Sequence, residues 1–579
     1  MIAQELTFLK AEGVFQRIAR CLGEAFRQGL RVDEVERQLK VDLQEAGLAF
    51  LEGFVQAAGD GDQGAAVSGE GGVLTRSETP QTRRYLSIFG ELAISRYVYT
   101  RGSKKPIEYS PLDAQLGLPA GELSYVLEDF QQRLCVQTPY GKSTEDLKSI
   151  LGTGVVVGTA EHMTQQLGEF AKAYRLSALT DEGTPPPEDE AEFLVAVGDG
   201  KGVVMRKTLA ERLAEEKQAA RAETQPLAAD GPREAADARQ ESAPERSPDD
   251  ARQHEEAPGK GSRRAARKAH QRRRRSSARH RGQKHGSRQK HGSGRQGSET
   301  APKGSKKSRK QMAYVGAVYT IAPFVRTPNQ ILNETSRRER AKDRARPQNK
   351  HVWGEMTQLV EGELIDGRSS LFLHLAVECH LRDPSHQKTL ICLMDGEEPL
   401  WAAKEEWLER AVEVLDFFHV LDHLWTIQRS LPKSFNTDDF VEHHTRMILE
   451  GKVDYAVRNL NRLGKEWKLR GKAKTEMQRG IGYFQRNREW MRYDVYLAKG
   501  HPIGSGVAEG TCRNLVKDRM ELTGMRWERR GAQSMIYLRA LYLNGEWKAF
   551  INYRIEKEQK QLYGKNATYS SITNYTQAV

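Results

Sequence analysis

The stretch that decides the fold runs from His501 to Trp527 and reads HPIGSGVAEGTCRNLVKDRMELTGMRW. It predicts a helix, because apolar residues recur in it at helical spacing, at Ala508, Cys512, Leu515, Val516 and Leu522. Ser505 is the predicted N-cap, since a serine hydroxyl accepts hydrogen bonds from the free N–H groups of a first turn. Glu509, Arg513 and Lys517 lie four residues apart on a neighbouring face.

That charged face has two interpretations. A carboxylate in the first turn with two cations beyond it suits a metal ion beside a phosphate chain. A surface helix with ordinary Glu-to-cation pairs has the same spacing. The choice between these two interpretations therefore depends on the acidic residues upstream in the sequence.

Composition narrows the class of protein. The chain has 579 residues, a net charge of +12 and a pI of about 9.2, which predicts two to four domains and a preference for polyanions. It contains no run of 18 apolar residues and no signal-peptide core, so we expect no membrane partner. Its five cysteines lack C-x-x-C spacing, which predicts small buried thiols in a reducing, cytoplasmic environment.

The first 183 residues are predicted to be mainly helical. Residues 1–81 carry apolar residues at threes and fours, followed by a Gly-rich loop over residues 59–81. Residues 82–183 are predicted to hold a β-hairpin with Arg96 on a basic face, and two helices capped by Ser143 and Thr159. Such a pair resembles a DNA-binding helix-turn-helix, although any helical hairpin has this pattern.

A basic segment interrupts the chain at residues 208–310. It is rich in Lys and Arg without apolar periodicity, so it is predicted to be a disordered insert that contacts phosphates non-specifically.

Three short apolar runs each end in an acid. FLVAVGD ends at Asp199, LICLMD ends at Asp395, and VEVLD ends at Asp416, with His419 just beyond. The Gly-Lys-Gly after Asp199 predicts a tight turn and a return strand VVMRK, so Asp199 could be a turn residue without function. MAYVGAVYTIAPFV is predicted to be the third strand.

The order of these elements predicts an α/β protein with an RNase H-like catalytic core, a mixed sheet with flanking helices. The core would comprise residues 190–207 and 311–425, with an all-α insertion over 426–500, a catalytic C-terminal helix within 501–554 and a tail over 555–579. Parallel strands one and four would place Asp199 beside Asp395 at their carboxyl ends, and the last helix would bring Glu509.

Three adjacent carboxylates repel each other unless cations neutralise them. Magnesium is the expected cofactor, because Mg²⁺ prefers oxygen ligands and two such ions promote phosphodiester displacement; Mn²⁺ is expected to substitute.

Four motifs carry a resemblance to a known family: GDGKGVVM, LMDGEEPLW, VLDFFHVLDHLW and PIGSGVAEGTCRNLVKDRMELTGMRW. Over about residues 85–555, apart from the insert, the chain is similar to the ISKra4-type DDE transposases of bacterial insertion sequences, which are related to the IS256 and Mutator-like groups. The resemblance implies Asp199, Asp395 and Glu509 as metal-binding catalytic acids. It also places Asp416 and His419 on the Asp-x-x-His signature of that superfamily, and the insert is a departure from it.

Two assignments stay open. Asp416 also ends a strand and competes with Asp395 for the role of second acid. His419 and His423 are four apart, as zinc ligands can be, but no third ligand has suitable spacing. The favoured interpretation makes Asp416 and His419 supports of the acidic site through hydrogen bonds.

The expected function is DNA cleavage at transposon ends followed by strand transfer into target DNA. Arg513, Lys517 and Arg526 would hold phosphates and Trp527 would stack on a base. The expected partners are double-stranded DNA, as terminal inverted repeats and target, and a second copy of the chain. The rivals are an RNase H-like nuclease or resolvase without strand transfer, and a non-catalytic DNA-binding protein derived from a transposase.

Overall fold

Two amphipathic helices begin the part of the chain that the structure describes. The computed structural model describes residues 8–69, 72–102, 105–180, 190–206, 310–336, 344–435, 439–564 and 570–571, which belong to one compact unit. The predicted helices are present as α1 (Leu9–Arg27) and α2 (Val32–Ala57), and they pack through small and branched side chains: Ala11, Val14, Ile18, Ala46 and Ala49.

The Gly-rich loop predicted over residues 59–81 is wrong in part. Strands β1 (Ala66–Gly69) and β2 (Gly72–Arg76) form an antiparallel pair there. Val67 and Leu74 are fully buried, and their register partnership explains why this short glycine-flanked segment folds as strands.

The next hairpin is confirmed, but its basic face is not. Strands β3 (Gln81–Ser87) and β4 (Gly90–Arg96) pair throughout, and β5 (Tyr99–Thr100) follows. Arg96 is 7% exposed and its Nε lies 2.7 Å from an oxygen of Asp113. Arg83 binds the other oxygen of Asp113 at 3.0 Å, so Arg96 belongs to a buried ion cluster.

Four helices complete this region: α3 (Pro111–Leu116), α4 (Tyr125–Cys135), α5 (Tyr140–Leu151) and α6 (Val157–Thr180). The predicted caps are wrong, because both helices begin earlier. Ser143 lies inside α5, buried against Gln131 and Cys135 of α4, and its hydroxyl donates to the Tyr140 carbonyl. Thr159 lies in the first turn of α6.

A five-stranded mixed sheet forms the centre of the molecule. Its elements in chain order are β6 (Phe193–Val204), β7 (Lys310–Ile321), α7 (Pro328–Thr335), β8 (Gln348–Met356), β9 (Gln358–Val360), β10 (Glu363–Ile365), α8 (Gly367–Arg382), β11 (Thr389–Met394), α9 (Glu398–Trp407) and β12 (Val412–Leu415). The sheet order is β8-β7-β6-β11-β12, or 3-2-1-4-5 in the order of these five strands along the chain. β11 is parallel to β6 and β12, whereas β7 is antiparallel to β6 and β8. The predicted adjacency of parallel strands one and four is confirmed.

Two strand assignments need correction. β6 runs unbroken through Asp199 to Val204 and pairs with β7 over its whole length, so the predicted turn and return strand are wrong. Its glycines serve close packing, since a Cβ at Gly200 would lie 2.8 Å from Met312 Cε. The true third strand, β8, escaped prediction because its first three residues are polar and exposed.

The rest of the described chain is almost wholly helical. Its elements are α10 (Phe417–Ser430), α11 (Asp439–Leu449), α12 (Val453–Glu466), α13 (Gly471–Arg486), α14 (Tyr493–Ala498), α15 (Gly506–Thr511), a π-helical turn (Cys512–Lys517), α16 (Asp518–Met520), α17 (Arg529–Leu543) and α18 (Trp547–Tyr563), followed by β13 (Ser570–Ser571). The sheet and these helices share one hydrophobic core.

Two further expectations concern parts of the chain outside these elements. The insert predicted over 208–310 lies outside the described residues, apart from Lys310 at the start of β7. Within the described ranges, none of the helices combines the length and apolarity needed to cross a bilayer.

Candidate active site

Asp199 and Asp395 lie next to each other on two adjacent parallel strands, Asp199 within β6 and Asp395 directly after the end of β11. The parallel register of β6 and β11 ends with Gly198 opposite Met394, and the two aspartates follow these residues directly. Asp199 accepts hydrogen bonds from the Gly200 amide at 2.6 Å and from the Cys512 thiol at 2.9 Å. Asp395 accepts from the Glu397 amide at 3.1 Å. The two acids are therefore half-buried neighbours held by backbone and thiol donors.

These carboxylates affect each other's protonation. Burial raises the pKa of Asp395 to about 7, and the charges of Glu397 and Asp199 add to the increase, while His419 opposes it. Burial and the charge of Asp199 also raise the pKa of Glu397. A cluster of three carboxylates has too little positive charge among its protein neighbours to be ionised without cost. Sequence reasoning missed Glu397, although it stands only two residues beyond Asp395 in LMDGEE.

Asp416 is the fully buried anchor of a hydrogen-bond network. Its carboxylate accepts from the Phe418 amide at 2.8 Å, from His419 Nδ1 at 3.3 Å and from the Ser505 hydroxyl. Its own amide donates to the Met394 carbonyl at 2.7 Å. Asp416 therefore caps α10 and joins β11 to the loop before α15.

His419 connects that network to the carboxylate cluster. Its hydrogen bond to Asp416 raises the pKa of His419 to about 9 against the opposing effect of burial, and the charges of Asp416, Asp395 and Asp199 contribute. The imidazole is therefore protonated at neutral pH and partly balances the acids. His423, one turn on, stacks against Tyr483 with ring centroids 4.0 Å apart.

The predicted cap at Ser505 is wrong. Ser505 precedes α15, but its side chain makes no capping bond and donates to Asp416 instead. The hydrogen bond to the fully buried Asp416 carboxylate orients the Ser505 side chain, since a hydrogen bond to a charged acceptor is stronger than one between neutral groups.

The helix that carries Glu509 is not uniform. A π-helical turn from Cys512 to Lys517 changes the phase of the side chains, so Arg513 lies 3.6 Å from Asp518 and the predicted Glu509–Arg513–Lys517 ladder does not form. The same turn brings Cys512 onto Asp199. Glu509 itself is exposed, one turn before Cys512.

Metal-ligand geometry is incomplete in this arrangement. Over residues 8–571, gaps in the described ranges excepted, no three His, Cys, Asp or Glu side chains lie close enough to hold one ion. His419 and His423 thus have no third ligand for zinc, and Glu509 does not complete a set with Asp199 and Asp395. The fit to a hard cation rests on the two adjacent aspartates and their uncompensated charge.

The predicted DNA-contacting residues divide into two groups. Arg513, Lys517 and Arg526 are exposed. Trp527 is only 5% exposed, donates its ring N–H to the Met520 carbonyl at 3.1 Å, and lies under the Arg519 guanidinium. Its predicted stacking on a base is therefore wrong: the indole bonds to the end of α16, while the Trp527 backbone amide donates to the Val204 carbonyl at the end of β6.

In comparisons with known proteins, no family model matches the chain and no curated protein matches it significantly. Its functional interpretation therefore depends on the geometry of its own residues.

Proposed function

We propose that this chain is a DDE transposase of the ISKra4 type, with an RNase H-like core that cleaves DNA at transposon ends and transfers the strand to target DNA. The observation that supports it best is the placement of Asp199 and Asp395 on adjacent parallel strands of a 3-2-1-4-5 mixed sheet. That order and those strand directions match the ones expected for an RNase H-like core, whose site lies at the carboxyl ends of its central strands.

The cofactor in this proposal is a pair of Mg²⁺ ions, for which Mn²⁺ substitutes. Asp199 and Asp395 would hold them, and Glu509, which the present arrangement does not bring into one set with these two, is proposed as the third acid. When bound, such ions stabilise charge on the attacking and leaving oxygens of a phosphodiester. The raised pKa of Asp395 supports the fit, because the cluster lacks positive charge that a divalent cation would supply.

The protein groups around the acids have supporting tasks. The buried Asp416 fixes the orientation of His419 and keeps it protonated, and the imidazolium lowers the repulsion between the carboxylates. Because both oxygens of Asp416 already accept hydrogen bonds, we assign it a positioning task and keep Asp395 as second acid. The exposed Arg513, Lys517 and Arg526 are assigned to phosphates of the DNA.

The partners are the terminal inverted repeats, the target DNA and a second protomer, because two transposon ends must be joined in one complex. Exposed aromatic side chains on the N-terminal helices are compatible with such pairing: Phe15, Phe26 and Phe54 are 60%, 88% and 59% exposed.

The test is an in vitro reaction with labelled DNA carrying the inverted repeats that bracket the gene, a target plasmid and Mg²⁺. We expect both a cleaved end and a product joined to the target, and neither with Asp395→Asn. The exposed Asp422→Asn on α10 is the matched control and should retain both products. Cleavage without joining would favour the nuclease or resolvase, and end binding without cleavage would favour the non-catalytic DNA-binding protein.

A further inference from the structure

A cavity of about 590 Å³ lies beside the candidate active site and is lined by basic and apolar side chains. Its charged lining residues are Arg326, Arg344, Arg346 and Lys350. None of its described lining residues is acidic. A concentration of four cations without a neutralising carboxylate in the wall favours an anionic ligand.

Three of these cations have no ion-pair partner in the part of the chain that the structure describes. Arg344, Arg346 and Lys350 are exposed and form no ion pair with any described residue. Elsewhere in the described chain, exposed Arg and Lys side chains often meet an acid, as Arg462 meets Glu466 at 2.8 Å. The cavity cations are thus available to a ligand.

The fourth cation is built into the wall. Arg326 donates from Nη2 to the His501 carbonyl at 3.2 Å, and its guanidinium lies 5.4 Å from the centre of the Phe324 ring. Its Nε is buried without a hydrogen-bond partner among the described residues. Burial lowers the pKa of Arg326, the charge of Glu334 opposes this, and the like charge of Arg344 adds to the decrease. A bound anion would lower the repulsion between these two arginines.

The opposite wall is the glycine-rich loop that precedes α15. The loop is tied to the Arg326 segment by bonds from the Phe324 amide to Gly500 at 2.9 Å and from the Arg326 amide to Leu497 at 3.2 Å. A side chain at Gly500 would lie 2.6 Å from the Phe324 nitrogen, and its φ of +75° also favours glycine. The wall is therefore preformed.

The same loop reaches the acidic site from its other side. Ile503 accepts from the Phe417 amide at 2.9 Å and Ser505 donates to Asp416. Both residues flank Gly504, which lines the cavity. Burial and then the charge of Asp416 raise the pKa of Tyr319, another lining residue, which shows that Asp416 is close to the wall.

We propose that this basic cavity holds the sugar-phosphate backbone of one nucleic-acid strand on its way into the acidic site. The apolar part of the lining, which includes Ile321, Phe324 and Val507, suits sugars and an unpaired base, and the cations suit the phosphates. This inference rests on the proposed function, since it supplies the strand that the acids would cleave.

The test compares the full chain with the variant Arg344→Gln/Arg346→Gln/Lys350→Gln. Binding of a fluorescent single-stranded oligonucleotide is measured by anisotropy in EDTA, between about 50 and about 200 mM salt. We expect the variant to bind at least tenfold more weakly at low salt. Its slope of log affinity against log salt should fall by about 2, since each lost phosphate contact on a single strand contributes about 0.7.

A control of equal charge change uses exposed cations outside the cavity, Arg20→Gln/Lys548→Gln/Lys560→Gln. It should bind like the wild-type chain. The variant Arg344→Lys/Arg346→Lys should retain most of the salt slope, because it keeps the charges. Melting curves of all the variants should coincide, since the replaced side chains are exposed.

Two results would overturn the cavity proposal. The first is a cavity variant that binds the oligonucleotide like the control variant. The second is displacement of the oligonucleotide by a mononucleotide or inorganic triphosphate as readily as by unlabelled strand, which would make the cavity a small-molecule site. Failure of the proposed function would give a different pair of results. In that case the wild-type chain shows no metal-dependent cleavage, while the cavity variant still loses strand binding.

Discussion

The molecule buries charge in two regions of the same sheet, with opposite outcomes. Beside β6 and β11, Asp199, Asp395 and Glu397 lie near one another; the charge of His419 opposes the raised pKa of Asp395 and of Glu397, and Arg368 also opposes that of Glu397. At β8, each buried acid has a cation. We call this second set the β8 charge network; it comprises Arg175, His351, Glu355, Glu378 and Glu546.

The β8 charge network has the features of a structural element. Arg175 lies 3.8 Å from Glu355 and sits over the rings of Trp353 and Tyr537, at 3.9 and 4.9 Å. Tyr537 donates to Glu355 at 2.9 Å. Burial still raises the pKa of Glu355 and lowers the pKa of Arg175, but removing one partner of a buried pair costs more than burying the pair does. The acidic region has fewer protein cations for its carboxylates than the β8 charge network has, which supports placing the proposed cation site there.

The largest effect is expected at the unbalanced acids. Asp199→Asn or Asp395→Asn removes a negative charge with little change of volume, so cleavage should fall by roughly a thousandfold or more while DNA binding persists. Without divalent cations, the melting temperature should stay or rise because a repelling charge is gone. Near-normal cleavage by Asp395→Asn would contradict the assignment and make Asp416 the candidate second acid.

The balanced region should respond in the opposite way. Arg175→Met leaves Glu355 as a buried charge without its cation, so the free energy of unfolding should fall by about 3 kcal/mol or more. The double variant Arg175→Met/Glu355→Gln should recover much of that loss. Urea unfolding measures both, and a double variant no more stable than the single one would show that Arg175 acts through packing alone.

The β8 charge network also predicts a dependence of stability on pH. Burial opposes protonation of His351, but hydrogen bonds and charge from Glu378 and Glu546 raise its pKa to about 9, from 6.5. A group whose pKa is higher in the folded than in the unfolded protein stabilises the folded state fully at pH values below its unfolded pKa. The contribution of His351 should therefore be complete below pH 6.5 and be lost as the pH rises to about 9. Its size is at most about 3 kcal/mol.

His351→Gln should flatten that part of the pH profile, measured by urea unfolding at several pH values. The exposed His380→Gln on α8 serves as control and should leave the profile as in the wild-type chain. Equal profiles for the two variants would mean that His351 is not the group responsible.

The smallest effect is expected at His419, because this residue of the acidic site is paired with Asp416 as the residues of the β8 charge network are paired with each other. Loss of a group that orients a site typically costs 10- to 100-fold, so His419→Ala should leave slow cleavage that raised Mg²⁺ or Mn²⁺ partly restores. Complete loss of cleavage would give His419 a direct role. Loss of bound zinc in metal analysis would revive the zinc interpretation.

Local patterns predicted the parts of the fold that depend on short-range periodicity. The N-terminal helices, the hairpin at Gly90 and the strand before Asp395 follow from the spacing of apolar residues. The turn predicted after Asp199 is wrong because β6 pairs with β7, a strand distant in sequence, over its whole length. Strand β8 was not predicted because only about half of its residues are buried.

The sequence by itself determined the basic charge of the chain, its N-terminal helices, the hairpin at Gly90, and the two apolar runs that lead into Asp199 and Asp395. Only the tertiary structure decided which charged and polar side chains have a partner and which are buried. It paired Arg96 with Asp113, buried Trp527, turned Ser505 toward Asp416 and added Glu397 to the acidic cluster. The physical reason is that hydrophobic periodicity is a local property of the chain, whereas desolvation and charge compensation depend on whatever neighbours the fold brings within a few ångströms.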